Sequence, residues 1–478
     1  MKLGKILRGT EILYNSCSLK TEISDIVYDS RKIIKDCIFV CLNGFNSNGH
    51  EFAKKALEKG AKAILSEEKM NLLNLILVKN TRASLAVISA NFFGHPAEKI
   101  NTIAITGTKG KTTTAYLISG ILNAAGQKTA SIGTLGFIIG SEILKTENTT
   151  PESYEIQKFL KKSIDNGFKN IVIEASSIGL KSHRLDNINF DYAIFTNFSS
   201  DHIGKNEHEN IEDYFKSKLI LFGRSKFVFL NNDDKRTEFI MKKCSCSFKT
   251  FGFKEEADFC AKDFKLVSNS KMIGSEFVLN KIKFSVSIPG KFSVYNALAA
   301  ICVCREMGVS EEKIKEAITG LHPKGRAEII SSQNGYSIII DYAHNALSMK
   351  NILTALREYR PKRLVALFGA GGERSKERRF EVGKISGELS DLTIITEDNS
   401  RMESVFEIIK DIESGMLHTK GKYKVIPNRK EAIRWCIINA REGDVILLAG
   451  KGHEDYQEIN GVKYHFDERE VVKEIMNF

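Results

Sequence analysis

Thr106-Gly107-Thr108-Lys109-Gly110-Lys111-Thr112-Thr113-Thr114 is the stretch on which the reading of this chain turns. The apolar run Thr102-Ile103-Ala104-Ile105 precedes it. An amphipathic helical pattern from Ala115 to Ala125 follows it and stops at Gly126. A strand feeding a glycine-bearing loop and then a helix N-terminus aims free backbone N–H groups and the positive end of a helix dipole at one anion. In that frame Lys111 reaches the β/γ-phosphates and the Thr112 hydroxyl sits on Mg²⁺. The general P-loop spacing asks for glycine at position 105, where this chain has Ile, so strand, loop and helix in register carry the match rather than the strict pattern. A nucleoside triphosphate is the expected ligand, on Gly107, Thr108, Lys109, Gly110, Lys111, Thr112 and Thr113.

Working outward, three blocks emerge without internal repeats or low-complexity linkers. Residues 1 to 98 mix short strands with one helix pattern near Phe52–Lys59 and end at Phe93-Gly94-His95-Pro96. Residues 99 to 325 start with the P-loop strand. Within them Asn170–Glu174 and Tyr192–Thr196 are near-continuous apolar runs, as parallel strands buried on both faces require. Asp258–Pro289 alternates more finely and reads as an antiparallel insertion, followed by helices Val294–Met307 and Glu311–Leu321. From 326 to 478, strands Ser337–Asp341, Leu364–Phe368, Leu392–Thr396 and Val445–Ala449 are separated by helical patterns, which describes a second doubly wound unit.

Ligands in such sheets bind at the carboxyl ends of the strands. Asp341-Tyr342-Ala343-His344, Gly369-Ala370-Gly371-Gly372, Glu397-Asp398-Asn399 and Gly450-Lys451-Gly452-His453-Glu454 all fall at such ends. In the central block Glu174 ends one strand, two strands from the P-loop, and Asp201-His202 follow another. Glu174 can therefore complete the Mg²⁺ shell begun by Thr112.

Composition narrows the class. With 478 residues the chain needs several cores. Its 42% hydrophobic and 27% charged content is that of a soluble globular protein, and no apolar stretch approaches a membrane span. The opening Met1-Lys2-Leu3-Gly4-Lys5 has no long apolar region behind it, so no secretory signal is expected. Nine scattered cysteines, with Cys244-Ser245-Cys246 and Cys302-Val303-Cys304 off the CxxC spacing, argue against a zinc site or a disulfide framework. The cytoplasm is the expected location. A net charge of +11 raises nucleic acid as a partner, but the cations are spread along the chain without interleaved aromatics. A positive surface equally serves small polyanionic substrates, and that reading is preferred.

The motifs resemble those of the Mur ligases, which make cell-wall peptides, and of their folylpolyglutamate synthetase relatives. Tyr28-Asp29-Ser30-Arg31, Thr106–Thr113, Asn148-Thr149-Thr150-Pro151-Glu152, Glu174-Ala175-Ser176-Ser177 with Arg184, Asp341–His344, Asp398-Asn399-Ser400-Arg401 and Gly450–Glu454 occur in order and cover essentially the whole chain. The resemblance implies an α/β fold in three domains. These are a small N-terminal α/β UDP-binding domain (1–98), a central P-loop ATPase domain with a parallel sheet (99–325), and a C-terminal Rossmann-like doubly wound domain (326–478) that brings the amino acid.

It also implies an ATP-dependent amide ligase of peptidoglycan synthesis. Such an enzyme phosphorylates a D-glutamyl γ-carboxylate of a UDP-muramoyl dipeptide, and a diamino acid then displaces the phosphate. Implied catalytic groups are Lys111, Glu174, His202 and Lys218. Lys218 would be carbamylated, because a carbamate offers Mg²⁺ hard oxygens that an ammonium lacks, and with His202 it would hold a second Mg²⁺. On sequence alone Lys218 reads as an exposed helix lysine, and Lys216 competes for the assignment. Asn296, Arg326 and Asp341 join the P-loop around ATP. Ser30 contacts the UDP moiety, and Asn148, Thr149, Thr150, Ser177 and Arg184 grip the muramoyl dipeptide and its carboxylates. Arg374, Asp398, Asn399, Arg401, Gly450 and Glu454 take the amino acid. The partners implied are small molecules, with no nucleic acid, no membrane span and a monomeric state.

Two departures from the family pattern carry expectations. Ile178 replaces the histidine of a Ser-Ser-His run, so a hydrogen bond from that histidine is absent. Ser400 replaces a proline, which would have fixed φ, so a looser loop is expected around Arg401. The Arg401 fork suits a far carboxylate and favours meso-diaminopimelate or lanthionine over L-lysine. Another ligase of the same family, a nucleic-acid-associated ATPase and a catalytically dead relative are the competing readings.

Overall fold

The computed structural model describes residues 1–44, 47–199, 208–268, 273–331 and 335–476. The chain divides into two compact units, residues 1–260 with 298–314, and residues 261–297 with 315–478. Among the described residues no helix is long and apolar enough to cross a membrane.

Among the described residues the first unit holds two sheets. A five-stranded sheet runs Ile12–Asn15, Leu75–Val78, Ala63–Ser66, Ile38–Val40, Ile26–Val27, parallel except for its Ile12–Asn15 edge. The Ile38–Val40 and Ala63–Ser66 strands are buried throughout, as helices on both faces demand. The helix expected near Phe52–Lys59 spans Ala53–Glu58. A longer helix, Thr81–Phe93, and the four-residue helix Leu3–Ile6 correct the one-helix reading of this block. Thr81, Ser84 and Ser89 are buried beside Leu85, Ala86, Ile88 and Ala90, so no polar face contrasts with an apolar one. Its ends do carry signals. The Asn80 side chain accepts from Ala83 N at 2.9 Å, and Gly94 closes the helix in a left-handed conformation.

The central sheet runs Phe259–Cys260, Ser247–Gly252, Ser225–Asn231, Phe190–Phe195, Asn101–Thr106, Asn170–Glu174, Thr129–Gly133, Gly136–Ile139, Glu142–Leu144. The first seven strands are parallel and the last two form an antiparallel edge. Ile103, Ala104 and Ile105 are wholly buried in its middle. The P-loop strand is flanked directly by Phe190–Phe195 and Asn170–Glu174, with Glu174 opposite Ile105. Glu174 is thus one strand from the loop rather than two.

The second unit begins with the antiparallel insertion, as strands Lys262–Ser268, Ile273–Leu279 and Ile282–Val286. Its six-stranded sheet runs Glu328–Ser331, Ser337–Asp341, Asp444–Ala449, Arg363–Phe368, Leu392–Ile395, Tyr423–Val425, antiparallel only at the first pair. Register sets Asp341 opposite Ala449 and Leu367 opposite Leu448, so the polar clusters after these strands share one carboxyl edge. The strands absent from the sequence reading include buried ones of the central sheet, Ser225–Asn231 and Ser247–Gly252, and solvent-facing ones. Val462–His465, for one, is exposed at every residue and has no alternation to detect.

Candidate active site

The P-loop is shaped by glycine and fastened from the neighbouring strand. Gly107 has φ +150°, and a Cβ there would meet Thr196 Oγ1 at 1.9 Å. Gly110, at φ +88°, delivers the chain to helix Lys111–Ala124. Thr108 N donates to Asn197 O (2.9 Å) and Lys109 N to Asn197 Oδ1 (2.9 Å). Thr196 Oγ1 and Asn197 Nδ2 both donate to Lys109 O, at 2.7 and 3.0 Å. Tyr214 OH donates to Thr108 Oγ1 (3.1 Å). Sequence reasoning missed Thr196, Asn197 and Tyr214; an Asn directly after an apolar strand beside the loop is the signal that points to them.

Lys111 Nζ folds back on the loop carbonyls of Gly107 (2.9 Å) and Thr108 (3.3 Å). The Thr112 hydroxyl donates to Glu174 Oε2 (2.9 Å), and Thr134 donates to the same carboxylate through N (2.9 Å, to Oε1) and Oγ1 (3.2 Å, to Oε2). This cluster of hydroxyl and carboxylate oxygens is a hard donor set, the chemistry Mg²⁺ takes. Lys218 is 1% exposed, which overturns its reading as an exposed helix lysine. Its Nζ donates to Gly107 O (3.1 Å) and lies 4.4 Å from the centre of the Tyr214 ring. Lys216, the competing residue, is exposed. His202 and Asp201 lie outside the described residues, and among those described no three His, Cys, Asp or Glu side chains form a metal cluster.

Next to Glu174 stand residues expected on the muramoyl dipeptide. Thr150 is fully buried; its hydroxyl donates to Glu174 O (2.7 Å) and accepts from Ser176 N (3.0 Å), so it braces the strand end from within. Arg184 donates to Thr150 O (2.9 Å) and pairs with Glu152 (3.0 Å), which also pairs with Arg82 (2.6 Å). Arg184 Nε is buried without a hydrogen-bond partner, a donor left over for an anion. Thr149 Oγ1 lies 3.2 Å from Thr134 Oγ1, whereas Asn148 is exposed. Ser30 is half-buried after strand Ile26–Val27, and its carbonyl accepts from Lys59 (3.3 Å). Ser177 reaches an imidazole after all: His208 Nε2 is 2.9 Å from its hydroxyl. Ile178 therefore does not leave this serine without a histidine, because the fold supplies one from another element.

In the second unit Lys451 organises the edge of the sheet, and sequence reasoning had assigned it no role. Wholly buried, its Nζ donates to Asp398 Oδ1 (3.1 Å) and Asn399 Oδ1 (2.9 Å) and lies 3.4 Å from Glu454 Oε2. Asn399 Nδ2 donates to Glu454 Oε2 (2.9 Å). Burial works to raise both acids. At Asp398 the Lys451 and Arg429 cations overcome it and hold the pKa below the ordinary value, whereas at Glu454 burial wins and the pKa is raised. Gly450 has no room for a side chain against Asp398.

Arg401 Nη1 donates to Gly372 O (2.7 Å), with Nε 3.9 Å from Glu458, while Arg374 is exposed. Ser400 is not loose: it is buried and donates to Glu397 Oε1 (2.8 Å), while Arg401 N donates to Glu458 O (3.0 Å). A side-chain hydrogen bond here does the stiffening expected of proline. Asp341 accepts from Ala327 N (2.7 Å) and Ala343 N (2.8 Å), which sets Arg326 over the Tyr342 ring at 4.8 Å with its Nε buried and unpartnered. Asn296 is buried in helix Lys291–Glu306. A cavity of about 610 Å³ lined by Asn101, Lys169, Asn189 and Asp191 opens at the amino ends of the central strands, the edge where parallel sheets do not build ligand sites.

This arrangement has counterparts among known proteins. The Mur ligase family catalytic domain matches residues 22–105, the Mur ligase middle domain 105–304, and the Mur ligase glutamate ligase domain 325–452. UDP-N-acetylmuramoyl-L-alanyl-D-glutamate--2,6-diaminopimelate ligase of Clostridium perfringens is 40% identical over 100% of this chain and 99% of its own. The protein of the same name from Clostridium botulinum is 39% identical with the same coverage. A solved structure of a ligase of that name superposes with a TM-score of 0.71 at 27% identity, covering 100% of this chain and 99% of the other. From P-loop to C-terminal sheet edge, the chain belongs to the Mur ligase family.

Proposed function

We propose that this chain joins an amino group of a diamino diacid, meso-diaminopimelate or lanthionine, to the D-glutamyl γ-carboxylate of UDP-N-acetylmuramoyl-L-alanyl-D-glutamate, at the expense of ATP. The observation that carries the reading is one strand edge. Lys111, the Thr112–Glu174 pair and the unpartnered Nε of Arg184 converge there, a phosphate seat beside a carboxylate seat.

The γ-carboxylate oxygen attacks the γ-phosphorus, ADP leaves, and an acyl phosphate forms. The amine then attacks the carbonyl carbon, the C–O bond breaks, and phosphate leaves. Lys111 swings from the Gly107 and Thr108 carbonyls to follow the transferring phosphoryl group, while the loop N–H groups hold the phosphates they leave behind. Arg184 fixes a substrate carboxylate for in-line attack. Thr112 and Glu174 would hold one Mg²⁺, and His202 with a carbamylated Lys218 a second, the ions supplying charge neutralisation. A neutral Lys218 amine adds to the carbon of CO₂ and releases a proton, becoming an anion where the structure buries a lysine nitrogen.

Asn296, Arg326 and Asp341 complete the ATP site, Ser30 contacts UDP, and Asn148, Thr149 and Ser177 border the dipeptide. Arg374, Asp398, Asn399, Arg401, Gly450 and Glu454 take the amino acid, with the Arg401 fork for its far carboxylate. The domains run 1–98, 99–325 and 326–478. The protein works as a cytoplasmic monomer on small molecules rather than on nucleic acid. The test is phosphate release and product mass with ATP, Mg²⁺, the UDP-muramoyl dipeptide and each of meso-diaminopimelate, lanthionine and L-lysine. Absence of turnover with all three overturns the reading, and a preference for L-lysine overturns its amino-acid part.

A further inference from the structure

Ser177, His208 and Asp213 form a hydrogen-bonded line. His208 Nε2 meets Ser177 Oγ at 2.9 Å and its Nδ1 meets Asp213 Oδ2 at 3.0 Å. The imidazole is fully buried, with the Tyr214 ring 4.9 Å away; among the described residues Lys181, a cation, and Lys218, an anion once carbamylated, also face it. Asp213 Oδ2 also accepts from Lys181 Nζ (2.7 Å) and Glu209 N (3.3 Å). The Lys181 hydrogen bond leads in holding the Asp213 pKa below the ordinary carboxylate value, and burial holds that of His208 below the ordinary imidazole value.

With Asp213 ionised and His208 neutral, these contacts assign every proton in the line. An ionised carboxylate only accepts, so Nδ1 carries the hydrogen. The neutral ring then has a bare Nε2, which can only accept. The Ser177 O–H must therefore point at His208, and the rest of its oxygen shows lone pairs alone.

We propose that the Asp213–His208 pair is a positioning device that locks Ser177 as a hydrogen-bond acceptor toward the bound dipeptide, so that Ser177 reads a substrate N–H or O–H and leaves the carboxylates to Arg184. The inference deepens the function proposed above and rests on it. It divides labour between two residues that the resemblance had grouped as carboxylate contacts. The same triad geometry serves nucleophilic serines elsewhere, but here it orients a contact.

The test uses the full-length protein. The ¹⁵N imidazole spectrum of the wild type reads the tautomer directly and is expected to show His208 protonated on Nδ1. Ser177→Ala, His208→Ala and Asp213→Asn are each expected to raise KM for the UDP-muramoyl dipeptide about tenfold, the loss of one oriented hydrogen bond, with KM for ATP within about twofold. The Ser177→Ala/His208→Ala double variant should be no worse than Ser177→Ala alone, because the two act through one contact. His208→Gln, whose amide oxygen can take the place of Nε2, should recover most of the loss. An Nε2-protonated ring overturns the proposal, even where a variant fails to fold. Multiplying penalties, or an unchanged KM in folded His208→Ala, overturn it as well. Failure of the wild type to turn over this substrate strikes the proposed function instead, and leaves the tautomer result standing.

Discussion

Lys111 and Lys218 place their side-chain nitrogens on the same atom, the carbonyl oxygen of Gly107, at 2.9 and 3.1 Å. One carbonyl thus brings the proposed phosphate-binding lysine and the proposed carbamate-bearing lysine to the same point of the loop, where charge on one acts directly on the other.

Lys218→Ala should therefore be nearly inactive and partly rescued by acetate or another short carboxylate, with Lys216→Ala like wild type. Under ¹³C-bicarbonate the wild type should show a carbamate carbon resonance that Lys218→Ala lacks. The opposite ranking of the two lysines in the assay would show the motif to be placed two residues out.

Lys111→Ala should lower phosphate release by about two to three orders of magnitude, the scale of a lost transition-state charge contact. Equilibrium binding of the UDP-dipeptide should change little, since that ligand's contacts lie elsewhere. Near-normal turnover would remove the loop from the mechanism.

Arg401→Ala should raise KM for the diamino diacid about tenfold or more while KM for ATP stays put, as expected for one bidentate carboxylate contact. Ser400→Ala should act in the same direction more weakly, because it removes the Ser400–Glu397 hydrogen bond that holds the backbone just before Arg401. Steady-state kinetics with each substrate varied in turn decides both.

Lys451→Met should destabilise the second unit by roughly 3–5 kcal/mol, because it leaves Asp398 and Glu454 buried without the ammonium that both contact, with Arg429 as the remaining cation. Urea unfolding at neutral pH measures it, and a change below about 1 kcal/mol would mean that water replaces the ammonium.

His453 predicts an acid limb of stability. Burial first, and then the Arg326, Arg469 and Lys324 cations, lower its pKa to about 4 from 6.5. The unfolded chain binds the proton first, so the contribution is full above pH 6.5 and is lost as pH falls toward 4, by roughly 3 kcal/mol in all. His453→Gln should flatten that limb in urea midpoints measured across the range. An unchanged slope would show that the ring is solvated.

Local pattern alone determined the P-loop strand, loop and helix, the buried strands around them and the four polar clusters at the C-terminal sheet edge. Each of these is written within a few residues, as an apolar run closed by glycine or charge. Helix Thr81–Phe93 escaped because its buried face includes serine and threonine, and Val462–His465 because both its faces meet water.

What only the tertiary structure decided is which distant residues meet. Lys218 is one of two lysines on its helix until the fold buries it against the Tyr214 ring beside Gly107. Ser177 lacks a histidine in sequence and gains His208 thirty-one residues on. Lys451 becomes the hub of Asp398, Asn399 and Glu454 only when parallel strands bring their ends to one edge. Such pairings depend on strand order, and strand order is set by how whole faces bury against one another, which no window of local sequence contains.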